Sequence, residues 1–227
     1  MPIVSIQQLT KDYRQGDLLV HALRGVDLAV EPGEFTTLMG PSGSGKTTLL
    51  NIAGGLDEAT GGHVVVDGVD LATASAARRS QLRLERLGFV FQAYNLIPVL
   101  SAYENAEFVL LLRGLDEAQR RERVMRVLQQ VGLGGMEHRR PSELSGGQQQ
   151  RVAVARAIVG EPALVLADEP TANLDSATSA ALLDTMRQLN ETLGITFLFS
   201  THDPNVMDRA RRVVKLVDGQ VAEDLRK

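Results

Sequence analysis

The stretch FTTLMGPSGSGKTTLL, Phe35 to Leu50, places a glycine-rich loop between a short apolar run and an amphipathic helical pattern. Within it GPSGSGKT, Gly40 to Thr47, fits the pattern G-x-x-x-x-G-K-[ST] at every fixed position. A strand that runs into such a loop and then into a helix is the context that this phosphate-binding pattern requires. The stretch therefore predicts an α/β fold built around a nucleoside triphosphate site.

The residue types of the loop give the physical reason for this prediction. Glycines let backbone N–H groups curl around a phosphate, and the N-terminus of the following helix adds partial positive charge. Lys46 can reach the β- and γ-phosphates and the Thr47 hydroxyl can ligate Mg²⁺, whereas a plain glycine turn would need neither residue. The loop alone does not separate kinases, GTPases, motor ATPases and transporters. The predicted nucleotide-binding residues of this stretch are Gly40, Pro41, Ser42, Gly43, Ser44, Gly45, Lys46, Thr47 and Thr48.

A second apolar run, ALVLADE from Ala163 to Glu169, ends on two adjacent carboxylates. Ligands of open α/β sheets bind at the carboxyl ends of the strands, so we expect Asp168 to hold Mg²⁺ through a water molecule. We expect Glu169 to orient or deprotonate the water that attacks the γ-phosphate. The alternative is a solvated acidic turn.

Two more polar residues follow predicted strands. His202 ends ITFLFSTH, where a neutral imidazole could bond the γ-phosphate or the attacking water, although a lone histidine is more often structural. Gln92 ends FVFQ and could touch Mg²⁺ or the water, although alone it would be an unremarkable loop residue. The predicted catalytic residues are Lys46, Gln92, Glu169 and His202, and the predicted Mg²⁺ ligands are Thr47, Gln92 and Asp168.

Strands alternate with helices over most of the chain, which predicts a mostly parallel sheet covered on both faces. The N-terminal stretch reads as strands separated by turns, with a hairpin predicted at residues 31–34. From about residue 93 to 159 the apolar spacing is helical. The prediction is one domain, residues 1–227: a P-loop NTPase core (about 1–92 and 160–227), with an N-terminal antiparallel β subdomain and an inserted helical subdomain (about 93–159).

Composition limits the classes of function. The 227 residues carry a formal net charge of −4, which argues against a general nucleic-acid-binding protein because phosphate neutralisation needs clustered Lys and Arg. The absence of cysteine excludes disulfides, thiolate metal sites and cysteine nucleophiles. The longest apolar runs are far shorter than the roughly 20 residues of a spanning helix. A membrane role would therefore need spanning helices from another chain.

The segment LSGGQ, Leu144 to Gln148, predicts a second anion-binding turn that has no lysine. Ser145 offers a hydroxyl, Gly146 and Gly147 offer N–H groups, and a helix predicted from Gln148 onward supplies its N-terminal dipole. One nucleotide cannot be gripped by both glycine motifs of one chain if the first already wraps it. Two chains that face each other resolve this conflict. Each ATP then lies between the GPSGSGKT loop of one chain and the LSGGQ turn of the other.

The set GPSGSGKT, FVFQ, LSGGQ, ALVLADEPTANLD and STHD resembles ATP-binding-cassette (ABC) ATPases in content and order, over almost the whole chain. The resemblance implies that Tyr13 stacks on adenine. It implies that the loop Ala172–Asp175 crosses a dimer interface, where Asp175 couples the two sites. It also implies ATP and Mg²⁺ as cofactors, and a cycle in which ATP closes a dimer of the chain and hydrolysis opens it.

The same resemblance implies a membrane partner. In this family the segment after Gln92 forms a groove for a coupling helix of the partner; the alternative is that its apolar residues, Leu96, Ile97, Val99 and Leu100, are only core of the helical subdomain. The phrases GFVFQAYNLIPVLSAYEN and LADEPTANLD resemble a bacterial branch for lipoprotein release, macrolide export, cell division and antimicrobial-peptide export. We expect an ATPase subunit at the cytoplasmic face of the bacterial inner membrane, bound to a separately encoded permease and to no nucleic acid. The alternative is a soluble ABC ATPase acting on nucleic acid or ribosomes.

Overall fold

The computed structural model describes residues 1–16, 18–203 and 209–226. Its first sheet lies at the N-terminus and is antiparallel, with the strand order β2-β1-β4-β5. The central strand β1 pairs on one side with β2 and on the other with β4. This arrangement confirms the predicted antiparallel β unit. Its strands are β1 (Val4–Gln15), β2 (Leu18–Val30), β4 (Gly61–Val66) and β5 (Val69–Asp70).

The second sheet has six strands in the order β10-β9-β3-β8-β7-β6. Every neighbouring pair is parallel except the β9–β10 hairpin, which confirms the predicted mostly parallel sheet. Because parallel strands point the same way, the segments that follow β3, β7 and β8 meet at one edge. The strands are β3 (Phe35–Met39), β6 (Leu87–Val90), β7 (Leu164–Ala167), β8 (Thr196–Thr201), β9 (Arg212–Val217) and β10 (Gln220–Arg226).

All of the described α-helices except the one that follows the phosphate loop begin at a polar side-chain cap. Ser75, Ser101, Asp116, Ser145 and Asp175 each accept a hydrogen bond from a backbone N–H of the first helical turn, which stabilises the helix start. The helices are α1 (Lys46–Ala53), α2 (Ala76–Arg86), α3 (Ala102–Leu112), α4 (Glu117–Gln130), α5 (Gly146–Ile158) and α6 (Ser176–Leu193), with a 3-10 turn at Pro141–Glu143.

Two apolar clusters cover the two faces of the parallel sheet. Phe35, Phe197 and Phe199 point to one face, and the Phe35 ring packs in a tilted arrangement against the rings of Phe197 and Phe199, at centroid distances of 5.6 and 4.9 Å. Leu38 and Leu198 point to the opposite face, as the two-residue period of a strand requires. The sheet that carries the site edge is therefore fixed by side chains packed on both sides.

Two local predictions were wrong. Residues 31–34 do not close a hairpin, because β2 belongs to the first sheet and β3 to the second. The turn is held instead by β8: the Gly33 N–H donates to the Thr196 hydroxyl at 2.9 Å, and the Phe197 N–H donates to the Glu34 carbonyl. Turn residues predict a reversal of the chain but not the sheet that the next strand joins.

The helical segment begins at Ala102 and not near residue 93. The residues before it include Tyr94 and Asn95, whose φ values of 58° and 49° lie in the left-handed region and cannot continue a helix. Across the described ranges, none of the helices is both long enough and apolar enough to cross a bilayer.

Candidate nucleotide site

A cleft of about 610 Å³ opens at the carboxyl edge of the parallel sheet. It joins the phosphate loop to the ends of β6, β7 and β8, and it also reaches strand β2 of the first sheet. Five of the six predicted catalytic and metal-binding residues, all except Asp168, therefore border one space. The lining residues, within the described ranges, are Val20, His21, Ala22, Pro41, Ser42, Gly43, Gly45, Lys46, Thr47, Thr48, Gln92, Glu169 and His202.

The phosphate loop has the backbone conformation that phosphate binding needs. Gly45, at the N-cap of α1, has a φ of 99°, and a Cβ there would lie 2.7 Å from the Ala22 carbonyl oxygen. Only glycine fits this position, because the left-handed region and the close approach both exclude a side chain. The Lys46 Nζ donates to the carbonyls of Gly40 and Pro41 at 2.7 and 2.9 Å, which folds the ammonium over the loop.

One polar atom of the loop fits an oxygen-rich ligand. The Ser44 hydroxyl is buried, and its oxygen has no hydrogen-bond partner among the described residues. A buried hydroxyl without a partner is costly, so its presence inside the loop supports a polar occupant there.

The two carboxylates after β7 stand in different surroundings. Asp168 accepts hydrogen bonds at one oxygen, Oδ1, from the Thr47 hydroxyl at 3.1 Å and the Ser200 hydroxyl at 2.6 Å. Glu169 has a left-handed φ of 48°, and its Oε2 lies 2.6 Å from the His202 Nδ1. The side chain of Glu169 is 15% exposed and that of His202 is 61% exposed. The pair thus presents a shielded carboxylate beside an accessible imidazole.

Gln92 lies two residues beyond the end of β6, in a turn and not at the strand tip. The Asn173 side chain donates to the Gln92 backbone carbonyl at 2.9 Å, so the loop after Glu169 holds this turn in place. Arg156 of α5 donates hydrogen bonds to the backbone carbonyls of Tyr94 and Asn95, which follow Gln92 in the chain. Burial lowers the pKa of the Arg156 guanidinium, because the interior disfavours its charge.

Tyr13 lies outside the cleft lining as the structure describes it. Its hydroxyl donates to Asp57 at 2.6 Å, and the Lys11 ammonium lies 4.7 Å from its ring centroid. Burial, followed by the bond to Asp57, raises the pKa of the Tyr13 phenol. Burial also favours a higher pKa for Asp57, but hydrogen bonds from Lys11 and Tyr13 outweigh it and lower that pKa. Adenine stacking by Tyr13 stays a prediction.

The LSGGQ segment forms the start of helix α5, two residues earlier than the predicted start at Gln148. Ser145 is the N-cap: its hydroxyl accepts from the Gln148 N–H at 3.3 Å, and the Gln148 side chain accepts from the Ser145 N–H at 2.9 Å. Gly147 has no room for a side chain, because a Cβ there would lie 2.5 Å from the Thr178 Cγ2. Neither these residues nor Gly146 belong to the described lining of the cleft.

Asp175 caps helix α6. Its carboxylate accepts from the Thr178 N–H at 3.0 Å and from the Thr178 hydroxyl at 2.6 Å. The bond from the hydroxyl lowers the pKa of Asp175. Because Thr178 also touches Gly147, Asp175 and the LSGGQ turn share one neighbour.

The oxygen donors at the cleft fit Mg²⁺. Mg²⁺ is held in nucleotide sites by one or two protein oxygens together with waters and substrate phosphates. The Thr47 hydroxyl and the Asp168 carboxylate are hard oxygen donors in direct contact with each other, and Gln92 borders the same cleft. No cluster of three or more His, Asp or Glu side chains suited to a metal occurs in the described part of the chain.

Sequence reasoning missed several residues at the cleft. Val20 and His21 border it from the first sheet, where strand alternation alone gave no sign of a neighbouring loop. The Asp12 carboxylate lies 2.7 Å from the His21 Nδ1. Ser200 lies within the stretch STHD. Its contacts with Asp168 and Glu169 depend on the pairing of β7 with β8, which cannot be read from the sequence.

Comparisons with known proteins agree with this geometry. Residues 23–172 match the ABC transporter family. The chain is 48% identical over 224 residues to the lipoprotein-releasing system ATP-binding protein LolD of Anaeromyxobacter dehalogenans, a match that covers 98% of this chain and 94% of the relative. It is also 48% identical over 223 residues to the macrolide export ATP-binding/permease protein MacB of Syntrophobacter fumaroxidans, and that match covers 97% of this chain but spans only 31% of the relative.

A solved structure matches along nearly the full chain. It is described as a dimeric post-hydrolysis state of the ATP-binding cassette MJ0796 bound to ADP and Pi, and it matches with a TM-score of 0.91 at 40% identity, covering 98% of both chains. The predicted fold class and the resemblance to the lipoprotein-releasing and macrolide-export branch are thereby confirmed. The chain belongs to the ABC transporter family, as an ATP-hydrolysing cassette.

Proposed function

We propose that this chain is the ATPase subunit of a bacterial transporter, hydrolysing ATP at two sites between two copies of itself and driving a separate integral membrane permease. One observation carries the proposal. The phosphate loop, Glu169 and His202 border one cleft, while the LSGGQ turn of the same chain lies outside its described lining.

Each residue of the cleft has a role that its position supports. Backbone N–H groups of the phosphate loop and Lys46 bind the β- and γ-phosphates. Glu169 accepts the proton of the attacking water, and its shielded carboxylate is suited to this because burial strengthens hydrogen bonding to the water. His202, in contact with Glu169, positions the γ-phosphate from its exposed side. Gln92, which borders the same cleft, orients this water.

Thr47 and Asp168 would hold Mg²⁺, with Gln92 as a further ligand. A bound magnesium ion neutralises charge that develops on the phosphates. The chain's own contribution is to keep the Asp168 oxygen and the Thr47 hydroxyl together, which the hydrogen bonds at Asp168 Oδ1 accomplish.

A dimer completes each site. The N-terminus of α5 carries N–H groups of Gly146 and Gly147 and a helix dipole, which attract an anion. A second copy placed face to face would bring this turn onto the γ-phosphate bound by the first. The name of the similar cassette MJ0796 describes a dimer, which supports this arrangement.

A surface groove on the helical side suits a membrane partner. It has a volume of about 480 Å³ and is floored by the stacked rings of Phe89 and Phe91, whose planes differ by 5°. Val99 is 69% exposed and Leu96 packs against the core, but neither belongs to the described lining of this groove. An apolar groove with charged residues at its border, Arg83, Arg113 and Arg156, matches an amphipathic helix of a permease loop.

The names of the relatives support the location and the direction of transport. One is an ATP-binding subunit for lipoprotein release and another combines ATP-binding and permease parts for macrolide export. We therefore place the chain at the cytoplasmic face of the inner membrane, where it drives export or mechanotransmission.

The test is co-purification from native membranes of the Glu169→Gln chain with Mg-ATP, which holds the closed dimer. The matched control is Glu169→Gln combined with Phe91→Asp, which places a charge in the groove. We expect a stoichiometric protein with transmembrane helices to co-purify with the first chain and not with the second. Recovery of ribosomal or DNA-bound proteins in place of a permease would overturn the membrane role and favour a soluble ABC ATPase.

A further inference from the structure

The Ser200 hydroxyl connects the two adjacent carboxylate residues of the site. It donates to the Asp168 Oδ1 at 2.6 Å and accepts from the Glu169 backbone N–H at 2.9 Å. Ser200 lies in β8 and is fully buried, at 0% exposure. The Ser200 hydroxyl therefore donates to Asp168, the proposed magnesium ligand, and accepts from the backbone of Glu169, the proposed base.

This contact falls where the backbone is strained. Glu169 has a left-handed φ of 48°, a conformation that costs free energy for any residue with a Cβ. Such a conformation persists when neighbouring groups hold it. The Ser200 oxygen holds the Glu169 N–H directly, so the direction in which the Glu169 side chain leaves the backbone depends on this bond.

The same hydroxyl fixes the rotation of the Asp168 carboxylate. The Ser200 and Thr47 hydroxyls both donate to Oδ1, one from β8 and one from α1. Two donors on one oxygen define the plane of the carboxylate and so direct its second oxygen. Removing the Ser200 donor would leave the weaker 3.1 Å bond from Thr47 as the remaining constraint on that oxygen.

We propose that Ser200 is a positioning residue for ATP hydrolysis, whose hydroxyl sets the placement of both Asp168 and Glu169. The inference rests on the roles proposed above for these two residues. Ser200 itself is fully buried and lies outside the described lining of the cleft, so it acts through Asp168 and Glu169. Its effect is on the rate of hydrolysis and on the use of Mg²⁺, and not on the binding of ATP by the phosphate loop.

The test compares Ser200→Thr with Ser200→Val. The two side chains have nearly the same shape, and only threonine keeps the hydroxyl. We expect Ser200→Val to lower kcat by about tenfold to a hundredfold, since small misplacements of reacting groups cost about this much. We expect it to raise the Mg²⁺ concentration for half-maximal activity, while the Kd for ATP stays within about twofold, since the phosphate loop is untouched. Ser200→Thr should restore kcat and the Mg²⁺ dependence to near the parent values.

Two further variants separate the loss of the hydroxyl from effects of side-chain size and of removing any buried hydroxyl. Ser200→Ala removes the hydroxyl without adding bulk, and it should behave like Ser200→Val even if valine is poorly accommodated in the strand. Thr37→Val removes another buried hydroxyl, on the neighbouring strand β3, whose oxygen has no hydrogen-bond partner among the described residues. It should leave kcat unchanged.

Specific results would overturn the proposal. If folded Ser200→Ala kept the parent kcat and Mg²⁺ dependence, the hydroxyl would not position the carboxylates. If Ser200→Thr were as slow as Ser200→Val, packing and not the hydroxyl would explain the loss. The role of Glu169 is tested separately by Glu169→Gln, and that of Asp168 by Asp168→Asn, in the same assay, so a failure of either role is distinguished from a failure at Ser200.

Discussion

Glu169 is the residue on which the proposed chemistry of the cleft depends most. Its carboxylate is shielded, adjacent to His202 and one residue beyond Asp168. Replacement by glutamine keeps the size and removes the ability to accept a proton. We expect Glu169→Gln to lower steady-state ATP hydrolysis by about a hundredfold or more while the Kd for ATP stays close to the parent value.

The assay is phosphate release under saturating Mg-ATP, with fluorescent-nucleotide binding as the control for an intact cleft. Steady hydrolysis at more than about a tenth of the parent rate would contradict the assignment of Glu169 as the base.

His202 is predicted to act on the γ-phosphate and not on the nucleoside. Its side chain borders the cleft and contacts Glu169 through Nδ1, so its second nitrogen is the one that can reach a phosphate oxygen. We expect His202→Ala to lower kcat by about tenfold to a hundredfold and to leave ADP affinity unchanged, because ADP lacks the γ-phosphate. Equal weakening of ATP and ADP binding with an unchanged kcat would show that His202 is a general nucleotide contact.

At the scale of elements, we expect the capping residue of helix α3 to stabilise the fold. Ser101 forms a capping box with Glu104, in which each side chain accepts from the backbone of the other residue. We expect Ser101→Ala to lower the free energy of unfolding by about 1 kcal/mol, and Ser101→Asn, which keeps a capping oxygen, to lose much less. Denaturant unfolding of the three proteins measures this. Equal stability of the alanine and parent chains would refute the role of the cap.

The sequence predicted elements where local chemistry determines them. The phosphate loop and the helix that follows it are determined by residue types at fixed offsets. The start of α5 was predicted late because Gly146 and Gly147 are poor helix formers, and packing against α6 overrides that preference. The segment before α3 was predicted helical because its apolar spacing hides two left-handed residues.

At the scale of the whole molecule, Arg212 links the two sheets. From β9 it donates to the Ala29 carbonyl of β2, to Glu34 and to Asp224 of β10. The hydrogen bond between Arg212 and Asp224 raises the pKa of the Arg212 guanidinium and lowers the pKa of the Asp224 carboxyl group. This network joins the hairpin β9–β10 to the N-terminal sheet.

The lowered pKa of Asp224 predicts a pH dependence of stability. A carboxylate with a depressed folded-state pKa contributes stability above its unfolded pKa of about 3.9 and loses it as the pH falls through the folded value. We therefore expect Asp224→Asn to be less stable than the parent at neutral pH and the difference to shrink below about pH 4. A difference that stayed constant with pH would mean that the charge of Asp224 does not stabilise the fold.

How the site assembles was only partly predictable. Lys46, Thr47, Gln92, Glu169 and His202 border one cleft because parallel strands bring their carboxyl ends to one edge, and this follows from the predicted parallel sheet. The bonds that orient these side chains come from neighbouring strands and loops that are distant in sequence, as with the Ser200 hydroxyl and the Asn173 amide. Single-sequence motifs contain no information on such partners.

The central claim is that the LSGGQ turn of one chain completes the nucleotide site of another. Ser145 allows a direct test, because Asp and Asn both replace it as an N-cap, and only Asp adds a negative charge facing the γ-phosphate. The measurement is the mass in solution, with and without Mg-ATP, of Glu169→Gln alone and combined with Ser145→Asp or Ser145→Asn. We predict that Mg-ATP doubles the mass in solution of the Glu169→Gln chain and of its combination with Ser145→Asn. The combination with Ser145→Asp should bind ATP but keep the mass of a single chain. A Glu169→Gln chain that binds ATP without any increase in mass, or an Asp variant that dimerises as well as the Asn variant, would contradict the claim.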